Sequence, residues 1–233
     1  MAEREAVLVS GGLDSAVLIT EIAATGADTT PLYIRTQMGW EREELVCLNR
    51  FLAEIAQPNL KPLVVLDLPV HDLYGDHWSI GGRIPDAAAP DEDFYLPGRN
   101  VILLAKALLW CRLHGIRRLS LGILGANPFP DATPVFFRDY AQIVGAATGG
   151  DLEIATPYAA LSKREVVLRG QGFPLEHTLS CMAPVEGRHC GVCGKCAERG
   201  RAFLVAGVSD PTEYVQDAWK LMEQTPTAGR PWE

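Results

Sequence analysis

Residues 6–15 read Ala6-Val7-Leu8-Val9-Ser10-Gly11-Gly12-Leu13-Asp14-Ser15. Four apolar residues end at a serine and a glycine pair, and a helical pattern begins at once, with Leu13, Val17, Leu18 and Ile22 on one face. That order predicts a buried parallel strand, a tight turn and a helix N-terminus. Adjacent glycines let the backbone approach a ligand closely. The first helical N–H groups lack intrahelical partners and carry a partial positive charge. Ser10 and Ser15 add hydroxyls, and Asp14 adds a carboxylate suited to a metal or a lysine. The segment therefore predicts an anion cradle for phosphate, although an ordinary strand-turn-helix corner would use the same glycine pair. It lacks the Gly-Lys-Ser/Thr of a Walker loop and the third glycine of a dinucleotide fingerprint.

Outward from this corner, strands and helices alternate. Strand-like stretches lie near residues 5–10, 31–35, 62–67, 117–122 and 152–156. Helices are predicted over 13–25, over about 40–56 with Leu45, Leu48, Leu52 and Ile55, and over about 99–113 with Val101, Leu104, Ala105, Leu108 and Cys111. Short apolar strands alternating with helices predict a doubly wound five-stranded parallel sheet covered on both faces. Such sheets bind ligands beyond the carboxyl ends of their strands, where Ser10 sits. Residues 68–98 form a long connection carrying Gly75, Gly81, Gly82, Pro85, Pro90 and Pro97, which predicts a lid or binding loop. The sheet pattern ends near residue 157. The expectation is a nucleotide-binding part over 1–157 and a C-terminal helical, Cys-bearing region over 158–233, within one compact unit.

Composition narrows the function classes. The chain has 233 residues, 48% hydrophobic and 21% charged, which fits a globular domain with an ample core. No apolar run is long enough to cross a bilayer, and the charged start Met1-Ala2-Glu3-Arg4-Glu5 flows into a strand, so the expected location is the cytosol, with no membrane partner. Lys and Arg number 21 against 29 Asp and Glu, a net charge of −8, which disfavours general binding to a nucleic-acid backbone and favours a small-molecule substrate.

Cys181, Cys190, Cys193 and Cys196 crowd one segment, and Cys190-Gly191-Val192-Cys193-Gly194-Lys195-Cys196 has two-residue gaps that turn thiolates back onto one ion. Four sulfurs match tetrahedral, closed, structural zinc. An iron–sulfur cluster and a redox or sulfur-carrying pair use similar spacings, and His189 is an alternative fourth ligand. Cys47 and Cys111 fall in predicted helices and read as buried apolar residues.

Ser-Gly-Gly-x-Asp-Ser resembles the pyrophosphate-binding loop of adenylating ATP pyrophosphatases. Together with the cysteines it resembles the 7-cyano-7-deazaguanine synthases of queuosine biosynthesis. The likeness extends over Leu96-Pro97-Gly98-Arg99-Asn100, the stretch from Gly122 to Asp131 and Pro134, and Thr156-Pro157 followed by Leu161-Ser162-Lys163-Arg164-Glu165-Val166. Ser180-Cys181 and Gly207-Val208-Ser209-Asp210-Pro211 complete it. Two segments depart from the family pattern. Tyr33-Ile34-Arg35-Thr36-Gln37-Met38-Gly39 stands where the family has aromatic-Asp-Tyr-Gly-Gln. Asn127-Pro128-Phe129-Pro130-Asp131-Ala132-Thr133-Pro134 stands where it has Ser-Gly-Tyr-Pro-Asp-Cys-Arg-Pro.

The resemblance implies an ATP-pyrophosphatase sheet with a small zinc-binding C-terminal region. It also implies a ligase that turns 7-carboxy-7-deazaguanine and ammonia into 7-cyano-7-deazaguanine through adenylated intermediates, releasing AMP and pyrophosphate. ATP then lies on Val9, Ser10, Gly11, Gly12, Leu13, Asp14, Ser15 and Ala16. Asp14, Lys163 and Arg99 are the candidate catalytic residues, with Mg2+ accompanying ATP, and Arg99, Asn100 and Asp131 border the substrate. Cys181, Cys190, Cys193 and Cys196 hold structural Zn2+. A homodimer is expected from the resemblance alone. Other readings are the same adenylation on another small carboxylate or a protein C-terminus, a tRNA thiolase, and a non-catalytic nucleotide-binding protein.

Overall fold

The computed structural model describes residues 3–81, 83–86, 89–125 and 127–217. Gly82 of the long connection, the first two residues and residues 218–233 of the expected C-terminal region lie outside this set. The elements run β1 (Arg4–Leu8), α1 (Leu13–Ala24), β2 (Asp28–Arg35), α2 (Glu41–Glu54), β3 (Val64–Asp67), α3 (His71–Tyr74), α4 (Arg99–Leu113), β4 (Arg118–Leu121), α5 (Pro134–Thr148), β5 (Glu153–Ala155), α6 (Lys163–Arg169) and α7 (Gly194–Ala206). Short 3-10 turns occupy Asp91–Phe94, Pro130–Ala132 and Leu175–His177.

The five strands form one sheet in the order β3-β2-β1-β4-β5, every pair parallel. Period-two alternation sends neighbouring side chains to opposite faces. Val7, Val9 and Tyr33 pack with Leu18, Leu48, Phe51, Val166 and Phe203 of α1, α2, α6 and α7. Ala6, Leu32, Ile34 and Leu119 pack with Leu104, Leu108 and Phe137 of α4 and α5. Side chains from both sides of residue 157 thus share a core cluster. No described helix is long and apolar enough to cross a membrane.

Element boundaries differ from expectation at three places. β2 starts at Asp28 rather than near 31, running straight through Pro31, which pairs with Val7. On the β3 side, Thr29 N donates to Asn59 O at 2.9 Å and Thr29 O accepts from Lys61 N at 2.8 Å. Two residues on, Pro31 turns its missing donor the same way, short of the start of β3 at Val64, so no ladder bond between strands is forfeited. α5 was not anticipated as a helix; it starts at Thr133, whose Oγ1 accepts from Phe136 N at 3.1 Å, with Pro134 in the first turn. The 68–98 connection is not a free loop. It contains α3, and Trp78, Ile84 and Phe94 pack over the cysteine cluster.

The order reverses between β1 and β4, which places the topological switch point at the glycine turn. A Cβ on Gly122, just after β4, would lie 3.0 Å from the Asp14 carbonyl carbon, so the second strand end presses directly against the start of α1. Leu119, at the centre of β4, is 0% exposed, whereas Leu113 at the end of α4 is 82% exposed. Leu119→Ala is expected to cost about 2–5 kcal/mol in chemical denaturation. Leu113→Ala should stay within about 0.5 kcal/mol of the wild type. Equal effects would contradict the layer assignment.

Candidate active site

The glycine turn is shaped by its neighbours. Val9 N donates to Leu32 O at 2.8 Å, closing the end of β1. Gly11 then takes φ +70°, a left-handed conformation that favours glycine, and a Cβ there would lie 2.8 Å from Glu44 Cγ on α2. Gly12 caps α1 without any side-chain hydrogen bond to the helix, so the first-turn amides stay uncapped toward the strand ends. Ser15 Oγ accepts from Ser10 N at 3.2 Å and donates to Gly12 O at 3.1 Å, while Ser10 Oγ accepts from Gly12 N at 3.4 Å. Leu179 N donates to Gly11 O at 2.8 Å and fixes the outer side of the turn.

Asp14 sits on the first turn of α1 and accepts from Lys163 Nζ through Oδ2 at 2.5 Å. Its other oxygen, Oδ1, is buried with no partner among the described residues. Lys163 opens α6 behind a capping box in which Ser162 and Glu165 satisfy each other's backbone donors. The same ammonium lies 3.3 Å from Glu198 Oε1 on α7, and Lys195 Nζ lies 2.6 Å from Glu198 Oε2. Burial works against the charge on Lys163, but Asp14 and Glu198 outweigh it and hold its pKa above the ordinary lysine value. Burial likewise opposes ionisation of Glu198, yet Lys195 and Lys163 hold its carboxyl at about 2.

Arg99 is exposed at the start of α4; its backbone N donates to Leu96 O at 3.1 Å, and its guanidinium makes no hydrogen bond or ion pair among the described residues. Asn100 and Asp131 face each other: Asn100 N donates to Asp131 Oδ2 and Asn100 Nδ2 donates to Asp131 O, both at 2.9 Å. Asp131 is thus the carboxylate that caps α4, where its charge suits the helix N-terminus. Beside it lies a cavity of about 170 Å³ lined by Ile123, Leu124, Asn127, Thr133, Phe137 and Thr156, among others. The structure brings Asp14 and Lys163 together directly, and Arg99 interacts electrostatically with Glu44 beneath the turn.

The four cysteines Cys181, Cys190, Cys193 and Cys196 are buried, and their sulfurs lie within 4.8 Å of one another. Backbone N–H groups of Ala183 and Cys190 point at Cys181 Sγ at 3.3 and 3.2 Å, and Gly191 N donates to Cys196 Sγ at 3.4 Å. Donors aimed at sulfur favour thiolate, the metal-binding form. The set fits a four-coordinate soft ion with no open position. His189 is not a fourth ligand here: its Nε2 accepts from Ser180 N at 3.1 Å, and burial pushes its pKa down to about 3. Cys47 and Cys111 are buried outside the quartet, in keeping with their apolar reading. Arg199, also buried, donates to Thr212 Oγ1, Thr178 Oγ1 and Leu175 O at 2.6, 2.8 and 2.9 Å. It ties α7 to the segment that carries Leu179 and Cys181.

Sequence reasoning missed Glu44, Tyr33, Glu41 and Glu198. Glu44 accepts from Tyr33 Oη directly beneath Gly11. Glu41 accepts from Thr36 N, Thr36 Oγ1 and Gln37 N at 2.5, 2.6 and 2.6 Å, which holds Gln37 at φ +67° in the turn after β2. Only Glu198 carried a local signal, since Lys195 and Glu198 are spaced as an i,i+3 helical pair.

The model of the family described as queuosine biosynthesis protein QueC matches residues 4–207. A protein of Chlorobium phaeobacteroides named 7-cyano-7-deazaguanine synthase is 30% identical over 229 residues, covering 91% of this chain and 96% of the relative. One of the same name from Thiobacillus denitrificans is 32% identical, covering 90% and 97%. A solved structure from Methanocaldococcus jannaschii, described as a predicted subunit of tRNA methyltransferase, superposes with a TM-score of 0.52 at 13% identity over 92% of each chain. That likeness is one of fold.

Burial pushes the Glu44 carboxyl up to about 8, against the opposing pull of Tyr33 and Arg99. A carboxyl raised on folding contributes stability that is complete below its ordinary value of 4.5 and is lost as pH rises through about 8. Glu44→Gln removes that titration and keeps an acceptor for Tyr33. The denaturation midpoint of the wild type should therefore fall relative to the variant across this interval. Parallel midpoint curves would contradict the assignment.

Proposed function

We propose that this chain, which belongs to the queuosine biosynthesis protein QueC family, is an ATP-dependent carbon–nitrogen ligase converting 7-carboxy-7-deazaguanine and ammonia to 7-cyano-7-deazaguanine. One observation carries the reading to the residues. Asp14 stands at an uncapped, glycine-opened helix start, with one oxygen paired to Lys163 and the other buried and without a partner among the described residues.

A carboxylate does not yield to ammonia unaided, because oxide is a poor leaving group. In the proposed reaction a carboxylate oxygen attacks the α-phosphorus of ATP, the bond to the bridging oxygen breaks, and pyrophosphate leaves. Ammonia attacks the acyl carbon of the adenylate. AMP departs with one former carboxylate oxygen, and the surplus proton passes to solvent. The amide oxygen then attacks the α-phosphorus of a second ATP and pyrophosphate leaves again; both N–H protons pass to solvent, and departure of AMP with the oxygen leaves the nitrile. Catalysis here is positioning and charge stabilisation.

Ser10, Gly11, Gly12, Leu13 and Ser15 hold the pyrophosphate through uncapped amides and hydroxyls, with Val9 and Ala16 flanking them. Mg2+ held by Asp14 would supply charge neutralisation at the phosphates, a role that its unpartnered oxygen fits. Lys163 keeps Asp14 in place and adds positive charge, and the exposed Arg99 meets phosphate or the acceptor carboxylate. Asn100 and Asp131 border the acceptor by fixing the start of α4 beneath Arg99. The four cysteines would hold Zn2+, whose role is to staple α7 and the Cys181 segment together. The enzyme acts in the cytosol on small molecules, without nucleic acid, as a homodimer.

Asp14→Ala is expected to lower AMP formation from ATP, Mg2+, ammonium and 7-carboxy-7-deazaguanine by about 100-fold or more. The product mass of the wild type should match the nitrile. Unchanged turnover in the variant, or a wild type that makes AMP only with another acceptor, would contradict the proposal. Metal analysis should give one zinc and no iron per chain, with loss of the metal in Cys193→Ser. Stoichiometric iron, or a variant that keeps its zinc, would overturn the assignment.

A further inference from the structure

The cysteine cluster touches the glycine turn by two independent routes. From one side, Leu179 N donates to Gly11 O at 2.8 Å, and Leu179 lies two residues before the ligand candidate Cys181. From the other, Cys193 caps α7, Cys196 lies in its first turn, and Glu198 follows two residues further on. Glu198 reaches Lys163 at 3.3 Å, and Lys163 reaches Asp14 at 2.5 Å. The result is a line of alternating charge, Lys195–Glu198–Lys163–Asp14, running from the sulfur cluster to the phosphate cradle.

We propose that Glu198 is a positioning residue: by sharing the Lys163 ammonium with Asp14, it makes α7 and its cysteine anchor set where the Asp14 carboxylate stands. Lys163 is buried, and its ammonium has three donors to place. With a single carboxylate, the whole charge would lean on Asp14. A second carboxylate on the opposite side holds Nζ between two fixed helices, α1 and α7. Removing one partner of a buried charge leaves the others under-compensated, so the effect should exceed that of a surface pair. Glu198 itself lies behind Lys163, bonded to lysines on both oxygens, and does not face the cradle. It acts through Lys163 alone.

The inference rests on the ATP reading for its catalytic readout and has a second readout that does not. Glu198→Gln in the full chain, loaded with its metal, is compared with the wild type and with Glu198→Asp. The first readout is the rate at which Lys163 is acetylated by a water-soluble amine-acetylating reagent, followed by mass spectrometry. The second is kcat against KM for ATP in AMP release. The expected result for Glu198→Gln is acetylation of Lys163 several-fold faster and kcat at least tenfold lower, with KM for ATP, zinc content and melting temperature near wild type. Glu198→Asp should recover part of kcat. Wild-type acetylation and kcat in Glu198→Gln would overturn the inference. So would loss of zinc and melting temperature together in both variants, which would make the role purely structural. A wild type that forms no AMP would instead sink the ATP reading, and the acetylation rates would still decide the position of Lys163.

Discussion

A buried lysine held between two carboxylates is the constraint on which the site depends. An ammonium taken out of water is costly unless paired and hydrogen-bonded. Lys163 meets that demand with Asp14 on α1 and Glu198 on α7, two helices that a sheet alone would not relate to one another. The pair fixes the first turn of α1 beside the strand ends, and it leaves Asp14 Oδ1 as a buried acceptor without a donor among the described residues. The glycine turn, the close approach of Gly122 and the hydrogen bond from Leu179 all converge on that turn.

The second organising element is the sulfur quartet. The C-terminal segment that carries it takes its apolar cover from elsewhere, since Trp40, Trp78, Ile84 and Phe94 come from α2's entry and the long connection. The connection therefore owes its course to the cluster, and the cluster owes its burial to the connection. Because Cys181 lies two residues from the segment bonded to Gly11 and Cys196 two residues from Glu198, the sulfur quartet is tied to the glycine turn at the end of the sheet.

What was legible in the sequence was what local patterning encodes. The apolar runs gave the five parallel strands, and the Ser-Gly-Gly-x-Asp-Ser turn and the cysteine spacing are each readable within a few residues. What was not legible depends on distance along the chain. Nothing near Glu44 announces that it will lie under Gly11, and nothing near Trp78 points to a cysteine cluster about a hundred residues away. Asp28, Thr29 and Thr30 are polar, so no apolar run announces that β2 begins ahead of Pro31, and the late start of β3 makes the proline harmless there. His189 looked like a spare ligand until its Nε2 was found taking the Ser180 amide.

The central claim is that this cradle activates a carboxylate by adenylation at the α-phosphorus of ATP. It is tested most directly with 7-carboxy-7-deazaguanine labelled with oxygen-18 in both carboxylate oxygens, in the presence of ATP, Mg2+ and ammonium. The account predicts that both labels appear in AMP, one from each activation, with none in pyrophosphate. Label in inorganic phosphate, or unlabelled AMP alongside product, would contradict it.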